Sequence, residues 1–364
     1  MHEWIDAPAA LAAWMAAQAP QQVIGLDTEF MRTDTFRPRL ALVQINLGGN
    51  IALLDSPALG DHAPLAARLR DAGVLCVMHS ASEDLEALAE FLPEGPAHLF
   101  DTQIAAALTG LGAGLSYQKL VAALLGIDLP KAETRSDWLR RPLSAAQLDY
   151  AAQDVVHLSE LHARLAARLA ERGRATWLAE DCRRLIEKVR RSEPDTQPQR
   201  AFRSVADWPR EKQALLRRVL LWREERARTL DKPRSWILDD ARALNLVHTP
   251  PLDANDLFER SKGLRALRSA QRHELLDLLA APLTPAELDI APIPPPFTSA
   301  EKRLVNDLRD DVAKIAAQHE LPEGLLCPRR HLETLVGERA WPAALEGWRR
   351  DLLFGTLMAR MPAT

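Results

Sequence analysis

Long apolar runs, cysteines and aromatic residues are all scarce in this chain of 364 residues. The longest unbroken apolar stretch, near Ala7 to Ala17, is too short to cross a bilayer, so no membrane association is expected. The three cysteines, Cys76, Cys182 and Cys327, are odd in number, far apart and without metal-ligand spacing. They exclude a disulfide framework and a thiolate metal centre, and predict reduced thiols in a cytoplasmic protein. A basic leader is missing as well: Glu3 and Asp6 occupy the N-terminus, so no secretory signal is expected. With aromatic residues at 5% of the chain, Trp208, Trp222, Trp236, Trp341 and Trp348 are read as core of small helical domains rather than as base-stacking platforms.

What is present describes a globular protein large enough for two or three domains, with 47% hydrophobic and 26% charged residues. The net charge of -4 is unevenly spread. Residues 1–150 hold 10 Lys/Arg against 18 Asp/Glu, and residues 151–364 hold 36 against 32. An acidic front half repels phosphate unless cations are bound there, whereas the back half can supply nucleic-acid affinity. Ordinary surface variation is the competing reading.

The front of the chain alternates strand and helix signals. Val23–Phe30, Leu40–Leu47 and Ile51–Leu54 are short apolar runs that read as successive strands, the latter two joined across Gly48-Gly49-Asn50. Val74–Met78 reads as a buried strand and His98–Asp101 as a short last one. Ser80-Ala81-Ser82-Glu83 predicts a capping box that starts a helix, and Ser144-Ala145-Ala146-Gln147 predicts another. The pattern is that of an α/β domain with a mixed sheet. The segment 191–209, poor in apolar residues and broken by prolines, reads as a linker, and the chain beyond it is helical. A proline-rich break over 282–296 reads as a stiff spacer between two helical segments that look like a distant repeat.

Four acids in the first 154 residues carry chemistry. Asp27 and Glu29 form a D-x-E pair within the first apolar run, so their side chains share one face of a strand. A carboxylate in a buried strand is costly unless a cation satisfies it. Asp84 falls in the first turn of a predicted helix, where the helix dipole favours it. Asp154 lies four residues after Tyr150, on the same helical face. Four hard-oxygen donors and one phenol, brought together, suit a two-metal phosphoryl-transfer site, with Tyr150 orienting the attacking water.

These motifs resemble the three exonuclease motifs of the DEDD superfamily of 3′→5′ exonucleases: the D-x-E strand, His79-Ser80-Ala81-Ser82-Glu83-Asp84-Leu85, and Tyr150-x-x-x-Asp154. Tyr150 matches the DEDDy branch; the other branch has a histidine where this chain has Asp149. The run from Leu129 to Leu143 looks like the segment that marks the ribonuclease D family, and the helical segments are similar to HRDC domains. The resemblance implies an α/β ribonuclease H-like exonuclease domain over residues 1–190, a linker over 191–209, and two all-α HRDC-like domains over 210–282 and 297–364. It also implies Asp27, Glu29, Asp84 and Asp154 as ligands for two Mg2+ or Mn2+ ions, and Tyr150 as the water-positioning residue. The activity so implied is a 3′→5′ exoribonuclease releasing 5′-monophosphates. Its expected partner is RNA, in particular tRNA precursors with 3′ extensions, and no obligate protein partner is evident.

Further residues have two readings each. Thr28 and Phe30 flank Glu29 and are candidates for contact with the terminal nucleotide, Phe30 equally for core. His79 is either a substrate contact or a hydrogen-bonded histidine at a strand exit. Asp101 is read as a strand-end or N-cap residue. Lys131, Arg135, Arg140 and Arg141 are candidates to grip the RNA backbone, or else a solvated basic loop. Nine Lys/Arg against four acids over 210–234 are either a phosphate-holding face or a salt-bridged helix surface. Two rival functions stand beside the exoribonuclease. A single-stranded DNA exonuclease is separated from it by recognition of the 2′-OH. A non-catalytic RNA-binding scaffold is disfavoured by the intact set of five site residues.

Overall fold

The apolar run around Asp27 becomes a central strand of a six-stranded mixed sheet. The strands are β1 (His2–Ile5), β2 (Val23–Met31), β3 (Arg39–Leu47), β4 (Asn50–Asp55), β5 (Leu75–Met78) and β6 (His98–Asp101), in the order β1-β4-β3-β2-β5-β6. The β2–β3 and β3–β4 pairs are antiparallel, and the other three pairs are parallel. The hairpin between β3 and β4 turns at Gly48 and Gly49, both with positive φ (62° and 99°), a region glycine enters without a steric cost. β1, which the sequence pattern does not announce, is a four-residue edge strand added in parallel to β4.

The computed structural model describes residues 2–18, 22–130, 136–190 and 194–362, which fall into two units. The first gathers residues 1–31, 38–192 and 299–364; the second gathers 32–37 and 193–298. No helix among the described residues is long and apolar enough to cross a membrane. All three cysteines are buried and unpaired, and burial pushes each thiol up to about 12.

In the first unit, helices cover the sheet and hold its central strands in the core. β3 is buried along nearly its whole length. Gly25 on β2 lets the helix Leu158–Glu171 approach closely: a Cβ there would stand 3.2 Å from Cβ of Leu158. The helices of residues 299–360 pack back on the helix Ala175–Arg190. Asp181 and Arg349 form a buried ion pair there (Nη2 to Oδ2 2.9 Å), the Trp348 indole donates to Asp181, and Trp348 stacks on Trp177 at 4.7 Å.

The second unit is helical, built on Leu216, Val219, Trp222, Ile237, Leu246 and Leu275. The stretch that reads as a linker carries two short 3-10 turns, Pro198–Ala201 and Arg203–Val205. Gln199 is buried and donates to the Ala291 carbonyl, while Gln213 accepts from Ile293 N at 2.8 Å. Two amide side chains thus pin the linker and the proline-rich spacer to the helical core. The loop 32–37 belongs here too: the Phe36 ring lies under Arg228 and Arg234 (5.0 and 4.7 Å), and Asp231 accepts from the backbone N–H of Phe36 and Arg37.

The basic stretch 210–234 has the surface role. Arg218 pairs with Glu287, Arg223 with Asp240, Arg226 with Glu274, and both Arg228 and Arg234 with Glu224. Arg210 and Lys232 pair with Asp289 and Asp34, while Lys212 and Arg217 donate to backbone carbonyls. Every cation of this stretch has a partner within the chain.

Candidate active site

β2 pairs with β5 only as far as Gly25, so beyond that residue its β5-side edge is free for the chain that leaves β5. The helix Ser82–Leu88 occupies this position and brings in Asp84 in its first turn. The start of that helix differs from the sequence expectation. Ser80 takes a positive φ of 61°, the N-cap position falls on Ala81, and no side-chain capping bond forms. Asp101 does that work instead. Its carboxylate accepts from the backbone N–H of Ser80 (3.3 Å) and Ala81 (2.8 Å), and at the same time caps the helix Thr102–Leu108 through Gln103 N and Ile104 N. One buried carboxylate therefore fixes both chain segments leaving β5 and β6.

On the other side, Asp154 arrives on the helix Ala145–Val156, which does start with the Ser144–Gln147 capping box. Two residues that sequence reasoning passed over hold the end of this helix. Asn46 on β3 donates to the carbonyls of Val155 (2.9 Å) and Val156 (3.2 Å). The Tyr117 hydroxyl donates to the Gln153 carbonyl and accepts from His157 N, both at 3.1 Å. The one sequence signal for Asn46 was a polar side chain, like Gln44, within a mostly apolar strand.

Asp27, Glu29 and Asp154 each offer an oxygen, and these lie within 4.8 Å of one another. Asp84 falls outside this group of three but is near enough for its charge to raise all three acids, and it is held by the Thr28 hydroxyl, which donates to Oδ1 at 2.6 Å. A bulge between Glu29 and Phe30 leaves Ala41 of β3 without a partner on β2, next to the acids. Tyr150 donates its hydroxyl to Asp154 and packs against buried Trp138 at 6.1 Å.

None of the ion pairs among the described residues involves Asp27, Glu29, Asp84 or Asp154. Burial and mutual repulsion therefore set their acidities. Burial, then the Asp84, Asp154 and Glu29 carboxylates, raise Asp27 well above the usual carboxylate range. Burial, then Asp154 and Asp84, push Glu29 to about 8. Burial likewise pushes Asp154 to about 7 and Asp84 to about 6, each moderated by the hydroxyl that donates to it. Burial first, then Asp154 and Glu29, raise the Tyr150 phenol above its ordinary value, so it stays protonated at neutral pH. Across the β2–β3 pair from Asp27, the buried Gln44 amide has no protein partner at either polar atom among the described residues. Crowded carboxylates with no described cationic side chain paired to them, all hard oxygen donors, fit a divalent cation of the magnesium or manganese type.

The other candidates divide between engaged and exposed groups. Both ring nitrogens of His79 are engaged, Nδ1 with Thr102 Oγ1 at 2.9 Å and Nε2 with the Leu115 carbonyl at 3.0 Å. Thr28 is buried and spends its hydroxyl on Asp84, and Phe30 is half-buried on β2. Arg140 is exposed, while Arg141 is tied to Asp55. Lys131 and Arg135 lie outside the described residues.

Known proteins similar to this chain are 3′-5′ exonucleases. A family model described as a 3′-5′ exonuclease matches residues 2–170. A ribonuclease D from Xanthomonas oryzae is 43% identical over 364 residues, covering 100% of this chain and 99% of that protein. Another from Pseudomonas paraeruginosa is 37% identical, covering 98% and 96%. Among solved structures, Escherichia coli RNase D, described as an exoribonuclease involved in structured RNA processing, superposes with a TM-score of 0.86 at 26% identity, covering 99% of this chain and 98% of that one.

Proposed function

Since the chain belongs to the ribonuclease D family of 3′→5′ exonucleases, we propose how its own residues trim RNA. It is a hydrolytic, divalent-metal-dependent exoribonuclease acting from the 3′ end. Asp27, Glu29, Asp84 and Asp154 are the proposed ligands of two ions, Mg2+ or Mn2+. Bound there, such ions make water a better nucleophile and offset charge on the attacking and leaving oxygens.

The residues around the ligands hold and orient. Thr28 fixes the rotamer of Asp84, and Asn46 and Tyr117 hold the helix that carries Asp154. Tyr150, a phenol that keeps its proton, orients the attacking water by hydrogen bond and does not serve as its base. Residues 210–282 and 297–364 are the proposed HRDC-like domains, and the body of a structured RNA such as a 3′-extended tRNA precursor is the proposed substrate. The nine cations of 210–234 each have a partner within the chain, which weakens the case for this face as the main holder of RNA phosphate.

The observation that carries this reading is the meeting of Asp27, Glu29 and Asp154 oxygens within 4.8 Å, with no basic side chain among the described residues paired to them. The test is end-labelled RNA incubated with the protein, with and without chelator. A ladder shortening from the 3′ end, 5′-monophosphate products and arrest by chelator are expected. Unchanged turnover in Asp27→Ala or Asp154→Ala sinks the assignment of ligands. A matched DNA oligonucleotide degraded as fast as RNA would favour the rival substrate.

A further inference from the structure

We propose that Arg141 is a positioning residue for Tyr150, a buckle that seats Trp138 against the phenol, and not a cation that grips RNA phosphate. The inference rests on the role given to Tyr150 above. Arg141 lies in the sequence where a phosphate contact is expected, yet each of its guanidinium N–H groups is spent inside the protein. Nε donates to Asp55 Oδ2 (2.9 Å) and Nη2 to Asp55 Oδ1 (2.6 Å), the bidentate geometry that matches guanidinium to carboxylate. The second Nη2 hydrogen goes to the Ala41 carbonyl at 2.9 Å. Nη1 donates to the carbonyls of Trp138 (2.6 Å) and Arg140 (3.0 Å). A guanidinium has about five donors and no more, so none remains for a phosphate.

The groups it joins are those that matter to the site. Asp55 ends β4 and is buried, so its charge needs the arginine. Ala41 is the bulge residue of β3 opposite the Glu29–Phe30 step. Trp138, 5% exposed, presents its ring to Tyr150 at 6.1 Å. Tyr150 also donates to Asp154, so it is fixed from two sides: by Asp154 at the hydroxyl and by Trp138 at the ring. Loosening the Trp138 turn frees the ring while leaving the hydroxyl partner in place. Lysine at 141 keeps the charge but can supply neither the fork to Asp55 nor the reach to three carbonyls.

The experiment is a double-mutant cycle between Arg141→Lys and Tyr150→Phe in the full-length protein, read as kcat and KM on a short single-stranded RNA. Thermal melting of each variant confirms that it is folded at assay temperature. Arg141→Lys should lower kcat on the order of 10-fold, the scale of loss when a reacting group's support shifts, with KM nearly unchanged. In the Tyr150→Phe background the same change should cost less than about 2-fold, because the group it positions is gone. Asp55→Asn should reproduce the kcat loss and serves in the cycle should Arg141→Lys fail to fold. If Arg141 grips phosphate instead, the neutral variant Arg141→Gln, measured beside Arg141→Lys, raises KM and flattens the dependence of log KM on log salt by about 0.7. In that case Asp55→Asn frees the cation and lowers KM. Either of those results, or losses that multiply in the double variant, overturns the proposal. Full activity of Tyr150→Phe alone would instead fault the reading of Tyr150.

Discussion

Thr28 gives its hydroxyl to Asp84 across 2.6 Å, joining the middle of β2 to the helix that comes after β5. Thr28 alternates in sequence between Asp27 and Glu29, so one strand supplies two acids and, between them, the group that orients a third. That hydroxyl also holds down the pKa of Asp84, which burial otherwise pushes up and which settles at about 6. Thr28→Val removes the donor and keeps the shape. The half-saturating Mg2+ or Mn2+ concentration for RNA hydrolysis should rise on the order of 10-fold, as when a partner of a metal ligand is lost. An unchanged metal titration would count against Asp84 as a ligand.

Removing Tyr150's hydroxyl should touch both chemistry and metal binding, because its partner Asp154 is a proposed ligand. Tyr150→Phe keeps the ring against Trp138 and loses the bond to Asp154. At saturating metal a fall in kcat of about 10- to 100-fold is expected, and because Asp154 loses its hydroxyl partner the metal half-saturation should also rise, on the order of 10-fold. Rate against metal concentration for both proteins gives the two numbers.

The acid cluster makes stability depend on pH in a definite direction. Asp84, Asp154 and Glu29 have folded-state values of about 6, 7 and 8, all above those of an unfolded chain. Below about pH 4 both states hold the protons, and the cluster costs nothing. As pH rises past that point the unfolded chain ionises first. The penalty on the folded state grows until pH passes about 8. In chelator, the melting temperature should therefore carry a falling contribution from about pH 5 to about pH 8. Added Mg2+ or Mn2+ has to displace these protons, so its stabilising shift should be larger at about pH 8 than at about pH 6. Melting curves at both values, with metal and with chelator, test the sign. Carboxamide substitution at Glu29 and Asp154 should flatten the trend.

Arg349→Met should remove the bidentate partner of the buried Asp181 carboxylate, leaving it the Trp348 indole and Arg184 at 3.9 Å. Breaking one side of a buried pair costs about 3–5 kcal/mol. The double change Asp181→Leu, Arg349→Met should recover a large part of it. Denaturant unfolding of the single and double variants beside the parent measures both. A loss below about 1 kcal/mol for the single variant would mean that water reaches the pair.

The parts of this molecule that were legible in the sequence are those set by local pattern. β2, β5 and the Ser144 capping box arise from runs of a few neighbouring residues, and the spacing of Tyr150 and Asp154 from one helical turn. The parts that were not legible depend on partners far along the chain. Ser80–Glu83 has the letters of a capping box, but Asp101, some 20 residues away, takes the N–H groups and leaves Ser80 in a left-handed conformation. The basic residues of 210–234 look available for phosphate until Glu287, Asp240 and Asp289 are seen beside them. Arg141 is the same case: Asp55 lies 86 positions earlier, and nothing in Arg140-Arg141 distinguishes the exposed arginine from the engaged one. β1 escaped notice because four residues with one buried side chain carry almost no periodic signal.

The loop 32–37 interrupts the strand-to-strand passage and lodges with the helices, its Phe36 ring beneath Arg228 and Arg234. Neither unit is therefore a single stretch of gene. Shuffling by simple end-to-end joining cannot move the helical unit intact, since a transplanted 193–298 would leave two arginines without their ring and Asp231 without the amides it accepts from.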